Sequence, residues 1–175
     1  MWASPLQLKL EMPTDFLTLL QRDHVDLQKE LTHLLEPAAT VAELRGSLDG
    51  VRLGLTAHAE AEDIVLGRFE AIAALDTQVA QARAAHLAQE GALSALVSTR
   101  AGTRAFWERA HHLRALVHHH AAREERYLVP ALRRYAPRTM YEDLAGAFAT
   151  ERLRQLAMLQ PSAPVRIADL EVRVS

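Results

Sequence analysis

The 175-residue chain has no cysteine. That removes disulfides, iron–sulfur clusters, thiolate zinc sites and thiol nucleophiles together. Glycine and proline are scarce, seven of each, and with abundant alanine and leucine this scarcity points to an all-helical protein. Aromatic residues make up only 5%, too few for base-stacking platforms. Neither sign of charge dominates: 20 basic residues face 22 acidic ones, a net −2. The sequence therefore offers no electrostatic footprint for nucleic acid or an anionic membrane. No run approaches the ~18 apolar residues of a membrane span. The start, Met1-Trp2-Ala3-Ser4-Pro5, lacks the charged-then-apolar layout of a signal peptide, so the expected location is the cytoplasm.

What is present is a hydrophobic content of 49%, enough for one sizeable core, and nine histidines. Helix punctuation is plain. Thr14-Asp15 after Pro13 reads as a start and Glu36-Pro37 as an end. Thr40-Val-Ala-Glu43 and Thr139-Met-Tyr-Glu142 fit capping boxes, and Asp76 is a candidate cap. These signals predict five helices near 14–36, 40–73, 76–98, 103–136 and 139–160. Pro130 should kink the fourth, and a tail follows Pro161 and Pro164.

Apolar periodicity is stronger than the punctuation. The first helix carries the stripe Leu17, Leu20, His24, Leu27, Leu31, Leu34. The second steps by three and four through Val41, Leu44, Leu48, Val51, Leu55, His58, Glu62, Val65, Phe69 and Ile72. The third runs Val79, Ala82, His86, Gln89, Leu93, Leu96. The fourth runs Phe106, Ala110, Leu113, Val117, His120, Glu124, Tyr127, Ala131. Each buried line thus contains a histidine. A shift of 62 positions maps His24, His58 and Glu62 onto His86, His120 and Glu124, and both glutamates are followed by a second acid, Asp63 or Glu125. In an up-down bundle two residues share a height when the turn lies midway between them. The midpoint of Glu62 and His86 is 74, that of His86 and His120 is 103, and that of His24 and His58 is 41. The first two fall in turns and the third falls a few residues past one, so all six polar side chains should meet near one level.

Six ionisable groups in an apolar core are costly without partners, and a metal supplies them. Imidazole and carboxylate suit iron, manganese and zinc, and His-x-x-x-Glu puts both on one helix face. Four histidines and two glutamates exceed one tetrahedral zinc and suit two irons bridged by carboxylates. The competing reading is four core histidines satisfied by hydrogen bonds, with the glutamates tilted outward.

His24, then His58-Ala-Glu-Ala-Glu62-Asp63, then His86, then His120-Ala-Ala-Arg-Glu124-Glu125-Arg-Tyr-Leu-Val-Pro130 resembles the hemerythrin-like, or HHE cation-binding, domain over about residues 14–136. The resemblance implies an all-α, up-down-up-down four-helix bundle over 1–136, preceded within that range by an N-terminal arm, holding a non-haem di-iron centre. Residues 137–175 would form an additional C-terminal helix and tail. It also implies that His24 and His58 bind one iron, that His86 and His120 bind the other, and that Glu62 and Glu124 bridge them with an oxo or hydroxo group. Manganese or zinc is an alternative metal. Oxygen-carrying hemerythrins have a second third-helix histidine four residues after the first; here that position is Glu90, either a seventh ligand or an open site. This departure fits sensing, nitric-oxide handling, iron handling or repair better than oxygen transport. The expected small ligand is oxygen or nitric oxide. The alternative is a di-iron oxidase, peroxidase or repair enzyme using the same residues.

The remaining histidines fall off the stripes. His118 and His119 adjoin His120, but only His120 has glutamate at i+4; His119 with Glu124 is a lesser alternative. His33, His111 and His112 read as surface residues. Tyr127 reads as a packing residue one turn past Glu124. The fifth helix, apolar through Leu144, Phe148, Leu153 and Leu156, should cover the bundle or form a homodimer contact. The alternating end from Val165 to Val174 could be an extended arm.

Overall fold

The computed structural model describes residues 15–160, and among them every regular element is helical. The alternating end and the N-terminal arm lie outside the described residues. The elements are α1 (Phe16–Leu34), α2 (Val41–Leu66) with a 3₁₀ turn (Gly67–Phe69), α3 (Asp76–Val97), α4 (Arg104–Arg123), a π-helical turn (Glu124–Leu128), α5 (Val129–Tyr135) and α6 (Arg138–Leu159). Contacts run in a ring: α1 packs on α2, α2 on α3, α3 on α4, and α4 back on α1. No described helix is long and apolar enough to cross a membrane.

Local chemistry sets the boundaries. Thr40 and Glu43 form the expected capping box of α2. Thr103 caps α4, accepting from the Phe106 N–H at 3.3 Å, after a turn in which Gly102 takes φ +78°. Two expected caps are corrected. Asp76 is the first residue of α3, with Leu75 at the cap, so its charge sits in the first turn. α6 begins at Arg138 behind Pro137, and the Glu142 carboxylate accepts from Arg138 at 2.6 Å rather than closing a box with Thr139.

The fourth stripe is corrected too. Pro130 has no N–H, and its ring would clash with the carbonyl four residues back, at Arg126. The chain answers with the π-helical turn, which adds one residue to that turn. The buried line therefore steps from Glu124 to Leu128 and Leu132 instead of to Tyr127 and Ala131, and Tyr127 is 52% exposed.

Two apolar clusters fill the interior. One holds Leu20, Val65, Phe69, Val79, Leu128 and Phe148; the other holds Leu27, Leu55, Leu93, Phe106, Leu113 and Val117. On each of α1 to α4 the stripe histidine lies between members of the two clusters. The polar side chains thus form one layer sealed above and below by hydrocarbon. α6 lies along α2 and α1, burying Leu144, Ala145 and Phe148 there. Leu153, expected on its apolar face, is instead 69% exposed, and the buried position of that turn is Gln155.

Candidate metal centre

The layer contains His24, His58, Glu62, His86, His120 and Glu124, all buried. Ring centroids of His24 and His58 are 5.2 Å apart, those of His58 and His86 6.0 Å, and those of His86 and His120 4.6 Å. Two groups have donor atoms within 4.8 Å of one another: His58, Glu62, His86 and His120, and a second with His24, His58 and Glu124. The four residues of the first group could hold a metal ion. Six of the seven ligand candidates from the sequence are brought together. Glu90 is not: it is exposed and belongs to neither group, because the inward line of α3 runs from His86 to Gln89. His118 and His119 are exposed, so the His119–Glu124 alternative falls away.

The duplicated sequence pattern becomes a crosswise geometry. Each glutamate meets the histidine four residues before it: His58 Nε2 is 3.4 Å from Glu62, and His120 Nε2 is 2.9 Å from Glu124. Each also meets a histidine of the other half: His86 Nε2 is 3.5 Å from Glu62, and His24 Nε2 is 3.1 Å from Glu124. The outward ring nitrogens are held as well. Asp23 accepts from His58 Nδ1, Asp63 from His86 Nδ1 and Glu125 from His24 Nδ1, each at 2.8 Å. A carboxylate can only accept, so these three rings carry a proton on Nδ1 and turn Nε2 inward, the orientation that ligating histidines take. Asp63 and Glu125, the second acids of the repeat, thus each hold the histidine of the opposite half.

Asp23 was missed from sequence. Its only signal is adjacency to His24, although it is buried and also paired with Arg152 of α6. Phe148 of α6 packs edge-on against His58 at 6.0 Å. The apolar face of α6 marks Phe148 as inward though not its histidine partner, and nothing in the sequence marks Arg152. Under the 62-residue shift Asp23 corresponds to Ala85. Among the described residues no carboxylate meets His120 Nδ1, and a cleft of about 200 Å³ between α3 and α4 opens there, lined by Ala82, Ala85, Ala88, His120 and Glu124.

Charge in the layer is strongly coupled. Burial lowers the His24 pKa, but Glu124 and Glu125 outweigh it and carry the group up to about 9. Burial likewise opposes protonation of His86, yet Asp63 and Glu62 push it up to about 10. For Glu124 burial raises the pKa, and His120 and His24 more than reverse this, holding it well below the usual carboxylate range. Asp23 is also held low: burial works against ionisation, and His58 and Arg152 prevail.

Several atoms are left over. Both carboxylate oxygens of Glu62, Oε1 of Glu124 and Nε2 of His58 are buried without an aligned hydrogen-bond partner. His86 Nε2 and His120 Nε2 face each other at 2.9 Å, a separation that needs a proton or a cation between two lone pairs. Buried polar atoms of this kind are rare and costly unless something else binds them. A metal with nitrogen and oxygen ligands fits all of them. No family model, curated protein or solved structure matches the chain.

Proposed function

We propose that the chain is a hemerythrin-like, up-down-up-down four-helix bundle with a non-haem di-iron centre that binds oxygen or nitric oxide in sensing, iron handling or stress response. The observation that carries this reading is the set of inward carboxylate oxygens on Glu62 and Glu124 without an aligned partner, each glutamate flanked by imidazoles from both halves of the chain, together with the unpartnered Nε2 of His58. His24, His58, His86 and His120 would supply nitrogen ligands, and Glu62 and Glu124 would supply carboxylate oxygens. Charge supports two ions rather than one. Around four neutral imidazoles stand five carboxylates (Glu62, Glu124, Asp23, Asp63, Glu125) and one guanidinium, Arg152. The excess of four negative charges is what two divalent cations balance.

Bound iron would supply a redox-active, Lewis-acidic position for a small ligand. The chain's own residues do the rest. Asp23, Asp63 and Glu125 fix the imidazole rings, and the apolar clusters exclude bulk water. The α3–α4 cleft, with its alanine wall, reaches His120 and Glu124 and is wide enough for a diatomic molecule. The test is anaerobic loading of untagged protein with iron(II). Close to two metal ions per chain and near-ultraviolet charge-transfer absorption after oxidation are expected. A folded preparation that retains no metal would sink the reading.

A further inference from the structure

The α2–α3 groove differs in charge from every other groove described around the centre. It has a volume of about 180 Å³ and reaches His86. Its lining carries the carboxylates of Glu60, Asp63 and Glu90 and no lysine or arginine. Glu60 and Asp63 stand three residues apart on α2, and Glu90 stands four residues beyond His86 on α3, so helical spacing brings each pair onto one face. The other grooves all carry cations. Arg123 stands in the α3–α4 cleft, hydrogen-bonded to Gln81. Lys29 lines the α1–α4 groove beside His24 and Glu125. Arg22 and Arg152 line the α1–α6 groove beside Asp23.

A second observation is independent of charge. Gln89, also in the lining of the acidic groove, is 1% exposed, and neither its Oε1 nor its Nε2 has a hydrogen-bond partner. An amide buried with both ends unsatisfied costs stability. It lines the groove together with the exposed Glu90 and the buried His86. Its carbonyl is a neutral oxygen donor, the kind that accepts from a hydrated divalent ion or replaces one of its waters.

We infer that the α2–α3 groove is the route by which a hydrated divalent metal ion reaches the centre. Glu60 and Glu90 attract the ion, Gln89 Oε1 takes over part of its hydration shell, and His86 receives it. Glu90 therefore acts at the surface end of the path rather than in the final ligand set. The inference rests on the metal-centre reading above.

The test is the rate of metal uptake, with anaerobic iron(II) mixed into metal-free full-length protein. Three variants are compared with wild type: E60Q/E90Q, E108Q/E142Q as a control with the same loss of charge at exposed sites away from the groove, and Q89L. The groove variant should load about tenfold more slowly at low ionic strength, with the gap closing as salt is added, and should reach the wild-type metal content. The control should load at the wild-type rate. Gln89→Leu should keep the fold, since it removes an unsatisfied amide, and should load more slowly at every ionic strength. Wild-type loading with equal rates in the groove variant and the control overturns this route alone, and an unchanged rate in the Gln89 variant removes the amide from it. Wild-type protein that takes up no iron overturns the metal-centre reading and the route with it.

Discussion

Replacing His120 by alanine takes away one of two imidazoles beside Glu124 and leaves a buried carboxylate facing a gap. His120→Ala should lose metal and cost about 3–5 kcal/mol in folding stability, the usual penalty for removing one partner of a buried charged group. His118→Ala and Glu90→Ala, at exposed positions, should each keep metal content and the oxidised spectrum. Metal analysis and chemical denaturation of the three variants check this, and equal retention in His118→Ala and His120→Ala would refute the assignment. At this scale the sequence was legible where periodicity speaks. A stripe interrupted by His and Glu at i+4 marks His58, Glu62, His120 and Glu124, because apolar neighbours on both sides force those positions inward. It was less legible for Glu90, where a four-residue step suggested contact while the line of Val79, Ala82, His86, Gln89 and Leu93 ran one residue earlier. Asp23 escaped because a carboxylate on the rim of a helix stripe has the same sequence signature whether it meets solvent or a histidine.

The long helices follow from their stripes and caps, whereas the slip between α4 and α5 does not. Proline alone signals a kink; that the chain inserts a π-helical turn and shifts the buried line by one residue depends on which apolar set, Leu128 and Leu132 or Tyr127 and Ala131, fits the cluster already formed. That α6 covers the bundle was legible from Leu144 and Phe148, but its reach into the polar layer was not. It covers the α1–α2 side and delivers Arg152 to Asp23, which holds His58. Arg152→Met should leave the fold intact, since Leu144 and Phe148 keep their seats, and should weaken metal binding about tenfold. Competition with a chelator measures this, and unchanged affinity would show that Asp23 orients His58 unaided. The matching side, α3 with α4, has Ala85 in place of Asp23 and is open. On the di-iron reading, Ala85→Leu should narrow the cleft and slow nitric-oxide binding several-fold at wild-type metal content. Stopped-flow mixing tests this, and an unaltered rate would place ligand access elsewhere.

For the whole molecule, the buried layer ties stability to pH, and on the metal-centre reading a bound ion would invert that dependence. In the metal-free protein protons take the place of cations, with His24 and His86 held up to about 9 and 10 by carboxylates that outweigh their burial. A group whose folded pKa is raised contributes stability fully below its unfolded value, about 6.5 for imidazole, and loses it as pH rises through the folded value. The metal-free melting temperature should therefore fall from pH 6.5 to pH 10, by roughly 5 °C or more. Asp23 and Glu124 are held low, so their contribution is present above the ordinary carboxylate range and fades as pH falls through and below it. On the metal-centre reading, a bound ion would reverse the alkaline limb. Ligation needs neutral imidazoles, so binding expels the protons that the empty site keeps, and affinity rises with pH. Loaded protein should hold its melting temperature between pH 6.5 and pH 9, where the metal-free form declines. Calorimetric titration in buffers of different ionisation enthalpy should register proton release at pH 7.5. A metal-free melting temperature that stays flat or rises across this range would mean that the buried carboxylates do not hold protons on His24 and His86, and the charge balance argued for two divalent ions would lose its basis.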